Sequence, residues 1–251
     1  LKIWFNRVES RNALNAEMTN ELVEVLDYAK DDSSLRTIVL RGKGDIFCAG
    51  GDIKDFKNTM QNTDIKSVSV NNRSFGNVMT KLNEQPQVVI ILVEGAAIGG
   101  GLGLACVSDI TLVHQETKFR LSETSLGIPP AQIAPFVVQR IGITNARYLM
   151  LTGAKFDGKK AFEIGLAHAV FQDSCQMEQR LADILSEINE CAKNANAATK
   201  KILLKALCSP MTETLDFASF EFANCMLGDE GREGVSAFLE KRKPFWVEND
   251  G

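Results

Sequence analysis

Apolar residues along the chain fall into two distinct rhythms. Met18, Leu22, Val25, Leu26 and Ala29 recur at helical spacing behind Asn15, whose side chain suits an N-cap, and predict a first helix. LRTIVLRG (35–42) and VVIILVEG (88–95) are instead short, nearly continuous apolar runs rich in β-branched residues. Such runs predict strands buried on both faces, as in a parallel sheet flanked by helices. Each is followed by a glycine-rich turn and a helical segment: KGDIFCAGGDIKDF (43–56), then a polar helix over roughly 65–84 before Pro86; and GAAIGGG, then the short helix LGLACVS. DITLVH and KFRL read as further strands.

Beyond Pro129 and Pro130 the pattern turns helical, with IAPFVVQRIG, NARYLMLTG and KKAFEIGLA as short amphipathic segments and longer helices at about 176–193 and 196–208. FASFEFANCM (217–226) carries three phenylalanines at mixed spacing, suited to folding over the core or packing on another subunit. The expectation is an α/β fold, with residues 1–190 as core and 191–251 as a helical region used in oligomerisation.

Composition narrows the function. The 251 residues are 45% hydrophobic and 24% charged, enough for one substantial core. A formal charge of -4 gives no general attraction to nucleic acid or acidic membranes, and no apolar run approaches the ~20 residues that span a bilayer. None of the six cysteines forms a CxxC pair, and there are two histidines, so neither a zinc site nor a disulfide framework is expected. Reduced thiols point to the cytoplasm. The opening LKIWFNRVES lacks the basic-then-apolar layout of a signal peptide; a mitochondrial matrix would require a targeting peptide already removed.

The glycines carry the candidate chemistry. Residues 95–103 hold five of them. Two glycine turns, each after a buried strand, could bring two backbone N–H groups to one point, where the missing Cβ lets a carbonyl approach. A helix starting near Gly100 would add its partial positive charge. That arrangement suits an enolate oxyanion. The alternative is that the glycines merely permit tight helix–strand packing. A dinucleotide loop is disfavoured, because GGGLG does not match GxGxxG.

FCAGGDIKDF (47–56) and VEGAAIGGGLGLACVSDI (93–110) together resemble the enoyl-CoA hydratase/isomerase (crotonase) superfamily. RNALN, FRLSETSLGIPP, LTGAKFDGKKAFEIGLAHAV and EGVSAFLEKRKPF follow in family order, so the resemblance covers almost the whole chain. It implies a spiral of ββα units with a helical C-terminal region, assembled as a trimer or as a hexamer made of two trimers. It also implies an acyl-CoA substrate, with coenzyme A entering as part of the thioester and no bound cofactor or metal. Gly51 and Gly100 fall on the family's oxyanion-hole positions. Ala49, Gly51, Asp52, Ile53 and Lys54 fall on its CoA-contacting loop, with Ala13 nearby. Lys54 either faces CoA or is solvated.

Of the two glutamates common in family hydratases, the second is present as Glu123 in LSETSLG, and the first is replaced by Gly103. One carboxylate can pass a proton from water to Cα during hydration, or shuttle one proton during Δ-isomerisation. The SE-x-x-LG-x-x-PAxIxP pattern resembles methylglutaconyl-CoA and isohexenylglutaconyl-CoA hydratases. A branched glutaconyl-type substrate could then place a second carboxylate near Gly103, with Arg120 as its partner. The alternative readings are a Δ-isomerase, a decarboxylase, or a non-catalytic binding relative.

Overall fold

A computed structural model describes residues 1–62 and 64–248. The strands β1 (Lys2–Phe5), β2 (Thr37–Gly42), β3 (Val88–Val93), β4 (Ala96–Ile98), β5 (Ile110–His114), β6 (Lys118–Arg120), β7 (Lys155–Phe156) and β8 (Ala169–Phe171) form two sheets. One is fully parallel in the order β1-β2-β3-β5-β8; the other runs β4-β6-β7, parallel then antiparallel. From β3 to β6 successive strands alternate between the two layers. There β3 and β4 lead into α4 (Gly100–Val107), and β5 and β6 lead through a 3-10 turn into the next helix, in keeping with the expected ββα repeat.

Both faces of the larger sheet are covered, which is why its central strand is continuously apolar. Val89, Ile91 and Val93 of β3 join the core beneath α1 (Ala16–Asp31) and α3 (Ile65–Asn83). Ile90 and Leu92 face the other way, against Met177, Leu181, Ile184 and Ile188 of α7 (Ser174–Asn189). The Asn15 side chain caps α1 as the pattern suggests, accepting from Met18 N–H at 3.0 Å.

Several boundaries differ from expectation for local reasons. α7 starts earlier because Asp173 accepts from Gln176 N–H at 2.9 Å. The two amphipathic segments after Pro130 run together as α5 (Ala134–Thr152), broken at Gly142, whose φ of 73° interrupts the helix. α2 (Ile53–Asn62) follows the first glycine turn, and α6 (Gly158–Glu163) lies between β7 and β8. The C-terminal region, described as far as residue 248, is α8 (Lys193–Cys208), α9 (Met211–Leu227), α10 (Asp229–Glu240) and α11 (Phe245–Glu248). It is tied to the core by Lys200, which pairs with Asp109 at 2.5 Å, and by Arg36, which donates to the Cys191 and Trp246 carbonyls. Among the described residues no helix is long and apolar enough to cross a membrane.

Candidate active site

The two glycine turns meet through a short parallel pairing. Cys48 bridges Ala97: Cys48 N–H donates to the Ala96 carbonyl at 3.1 Å, and Ile98 N–H to the Cys48 carbonyl at 3.0 Å. Cys-Ala-Gly-Gly (48–51) and Ala-Ile-Gly-Gly (97–100) therefore leave the bridge side by side, which brings the Gly51 and Gly100 segments together. Gly50 has a φ of 92°, and a Cβ there would lie 2.8 Å from the Ile98 carbonyl oxygen and 3.8 Å from Gly100 N, so the two backbones touch at this point.

Both amides are left over by the local bonding. Gly51 also bridges Leu14, but that bridge uses the Gly50 carbonyl and the Asp52 N–H, which turns Gly51's own N–H to the opposite side. Gly100 is the first residue of α4, where an N–H has no intrahelical acceptor and the helix carries its partial positive charge. Neither N–H donates to an acceptor among the described residues.

Glu123 opens a 3-10 turn, Glu123–Leu126, after β6, and its carboxyl folds back over Gly99. Gly99 has a φ of 50°, and a Cβ there would meet Glu123 Oε1 at 2.6 Å, so glycine is required on both counts. Oε2 is buried without a partner among the described residues, and burial holds the carboxyl above the usual glutamate range. A partly desolvated carboxyl, with one oxygen buried and unpartnered, thus lies one residue from a free helix-terminal N–H. Apolar side chains close the surroundings: a Gly51 Cβ would lie 2.6 Å from the Phe56 ring, and a Gly100 Cβ 3.1–3.2 Å from Leu14 and Phe75.

The other expected site positions lie alongside. Ala13 is buried, with its carbonyl receiving the Arg7 guanidinium, and Ala49 N–H donates to Arg11 at 3.0 Å. The Asp52 carboxylate accepts from Lys54 N–H at 3.0 Å and pairs with Arg7 at 3.1 Å; the Lys54 bond and then the Arg7 charge hold its pKa low. Ile53 and Lys54 are exposed at the start of α2.

One expectation needs correction. The space at Gly103 is not open for a substrate carboxylate. A Cβ there would already press on Ile133, 2.9 Å from its Cβ and nearer still to its Cγ2, with Met79 Cε at 3.2 Å. Arg120 donates through Nε to the Gly153 carbonyl at 2.9 Å, just past the end of α5. Glu94 pairs with Arg41 at 2.6 Å and accepts from Ser174 Oγ at 2.6 Å. Asp109 is structural, accepting from Val89 N–H at 2.7 Å.

Pattern reading missed Asn12, which is fully buried. Its amide donates to the Lys43 and Ile46 carbonyls at 2.9 and 2.7 Å and accepts from Arg7 N–H, fixing the first glycine turn. Its signal was an asparagine able to adopt the left-handed φ of 54° seen here. The Phe56, Phe75, Ile133 and Met79 walls carried none beyond being apolar.

The enoyl-CoA hydratase/isomerase family model matches residues 1–249. The chain belongs to this family. The structure named Pseudomonas aeruginosa AtuE superposes with a TM-score of 0.95 at 48% identity, covering 98% of this chain and 95% of that one. An enoyl-CoA hydratase/isomerase from Marinobacter aquaeolei gives 0.93 at 41% identity, covering 98% and 95%. Among curated relatives, a probable enoyl-CoA hydratase of Bacillus subtilis is 29% identical, covering 93% of this chain and 90% of its own length. A trans-2-decenoyl-[acyl-carrier-protein] isomerase of Streptococcus mutans is 24% identical, covering 95% and 91%.

Proposed function

We propose that the protein is an enoyl-CoA hydratase, adding water across the α,β double bond of an acyl-CoA with Glu123 as its single acid–base group. The observation that carries this reading is the half-buried Glu123 carboxyl against Gly99, its Oε2 buried without a partner, next to the free amide of Gly100. Gly51 and Gly100 N–H groups donate to the thioester oxygen. As Cβ takes the water oxygen, electron density moves onto that oxygen, where each fixed donor is worth roughly 10²–10³ in rate. Glu123 takes the proton that the water loses and returns it to Cα as the enolate collapses. A carboxyl kept above its usual range by burial is a stronger base than one in water, which suits both transfers.

Ala13, Ala49, Asp52, Ile53 and Lys54 would line the CoA arm. The finer substrate type, a branched glutaconyl chain, rests on the resemblance of the Glu123 segment, because Ile133 fills the space first considered for its carboxylate. The exposed Leu203, Leu207, Leu215, Phe220, Phe222 and Phe238 of α8–α10 fit the oligomerisation role given to 191–251, in a trimer or hexamer. The free thiols fit a reducing compartment such as the cytoplasm.

A second reading, Δ-isomerisation, is favoured by one observation: Ile133 fills the seat beside Gly103, so only one carboxylate serves the site. The S. mutans relative carries an isomerase name. Product mass separates the two, since hydration adds one water and isomerisation adds nothing. Glu123→Gln should lower kcat/KM by about 10²–10⁴. A variant retaining more than about a tenth of the activity would remove Glu123 from the chemistry.

A further inference from the structure

Helix α4 is buried from Gly101 to Val107, so its last carbonyls depend on protein partners. Its own last turn holds no basic residue to face the negative end of the helix. The cation comes instead from α5, which packs on α4. Arg140 stands two residues before the break at Gly142. Its Nη2 donates to the Ser108 carbonyl and to Thr111 Oγ1 on β5, each at 2.9 Å, with Ser108 Oγ at 3.3 Å and the Ala105 carbonyl at 3.4 Å. The Ser108 and Thr111 hydroxyls lie 2.8 Å apart and 3.0 and 3.1 Å from the Ala105 carbonyl. One guanidinium nitrogen and two hydroxyls thus close the end of the helix.

Burial is unfavourable for this cation. Its Nε is buried without a partner among the described residues, and desolvation lowers its pKa. Asp109, whose charge acts on it, is paired instead with Lys200 at 2.5 Å. The guanidinium nevertheless stays protonated. A buried positive charge set against the negative end of a helix acts along that helix. At the other end is Gly100, about 12 Å away by the rise of α4.

We propose that Arg140 is a positioning residue for the oxyanion site: it anchors the C-terminal end of α4, so holding Gly100 N–H on the thioester oxygen, and its charge adds to the field there. The proposal rests on the acyl-CoA reading above and extends it to a side chain a helix length from Gly100. At about 12 Å and an effective dielectric constant of about 20, a unit charge changes the rate of forming an oxyanion roughly tenfold.

The test follows 2,4-hexadienoyl-CoA on the intact protein by rapid mixing. Its absorbance band moves to longer wavelength as the thioester carbonyl is polarised, so the shift reports the oxyanion donors, while titration gives affinity. Arg140→Gln should lose about half of the wild-type shift, since one of two donors is loosened. Turnover of the thioester should slow about tenfold, and affinity should change by less than about threefold. Arg140→Lys, which keeps the charge and can still reach the Ser108 carbonyl, should recover most of the shift. Thr111→Val, which removes one acceptor and leaves the cation, should lower the shift in part, and decides the matter if Arg140→Gln does not fold. A full shift in Arg140→Gln or Thr111→Val, whatever happens to stability, would make Arg140 a structural cap and overturn the proposal. So would a loss of shift that Arg140→Lys does not relieve. Failure of the wild type to bind the thioester would instead bring down the acyl-CoA reading itself.

Discussion

Replacing Gly103 by alanine asks whether the missing second carboxylate is a matter of packing. In the interior of α4 the exchange should favour the helix by up to about 1 kcal/mol. The new methyl, however, would lie 2.9 Å from Ile133 Cβ and closer to its Cγ2, where Ile133 is 3% exposed and Met79 fully buried. Overpacking of this kind costs about 1–3 kcal/mol, so the net expectation is a loss of up to ~2 kcal/mol. In a chain of this length that corresponds to a fall in Tm of up to roughly 8 °C. In an Ile133→Ala background the nearest clashing atom, Cγ2, is gone while Cβ stays, so the same exchange should cost clearly less. The four proteins form a double-mutant cycle with a coupling of about 1–3 kcal/mol. Urea unfolding at one fixed protein concentration measures it, because any oligomer makes stability concentration-dependent. An equal cost of Gly103→Ala in both backgrounds would refute the argument that Ile133 closes this seat. By the same geometry, Gly103→Glu should destabilise the protein and add no second acid to the reaction.

Glu123 makes a paired prediction about pH. Its folded pKa is raised by burial, so it stabilises the fold when protonated and loses that contribution as pH rises through the raised value. Glu123→Gln should therefore raise Tm at neutral pH, with the gain vanishing below the ordinary carboxylate range; a gain independent of pH would contradict the assignment. Turnover needs the ionised form, so activity should fall on acidification through a pKa above that of a free glutamate, read from a kcat/KM profile. Burial pushes the Cys48 and Cys106 thiols up to about 12, so peptide mapping after treatment with a thiol reagent should find both unmodified in the native protein and modified once it is unfolded.

Much of the fold could be read from the chain because its signals are local. The continuous β3 run encodes a strand covered on both sides, and Asn15 and its heptad-like partners encode α1. β1, β7 and β8 left little trace: β1 is half-exposed at a sheet edge, and the other two are two or three residues long. The site was legible in part for the same reason. Cys-Ala-Gly-Gly and Ala-Ile-Gly-Gly already share one pattern, but nothing in either shows that they pair. The Arg120 contact was not legible, because its acceptor, the Gly153 carbonyl, is 33 residues away.

By itself, then, the sequence determined the parallel α/β layers, the glycine turns after two buried strands, and a glutamate without its usual companion. Periodicity and backbone freedom are properties of a segment and survive in one dimension. Only the tertiary structure decided that Cys48 meets Ala97 and so brings the two glycine turns together, that Glu123 folds over Gly99, and that Ile133 occupies the space at Gly103. Each of these depends on contacts between segments distant in the chain, whose register and burial are fixed only when the core closes around them.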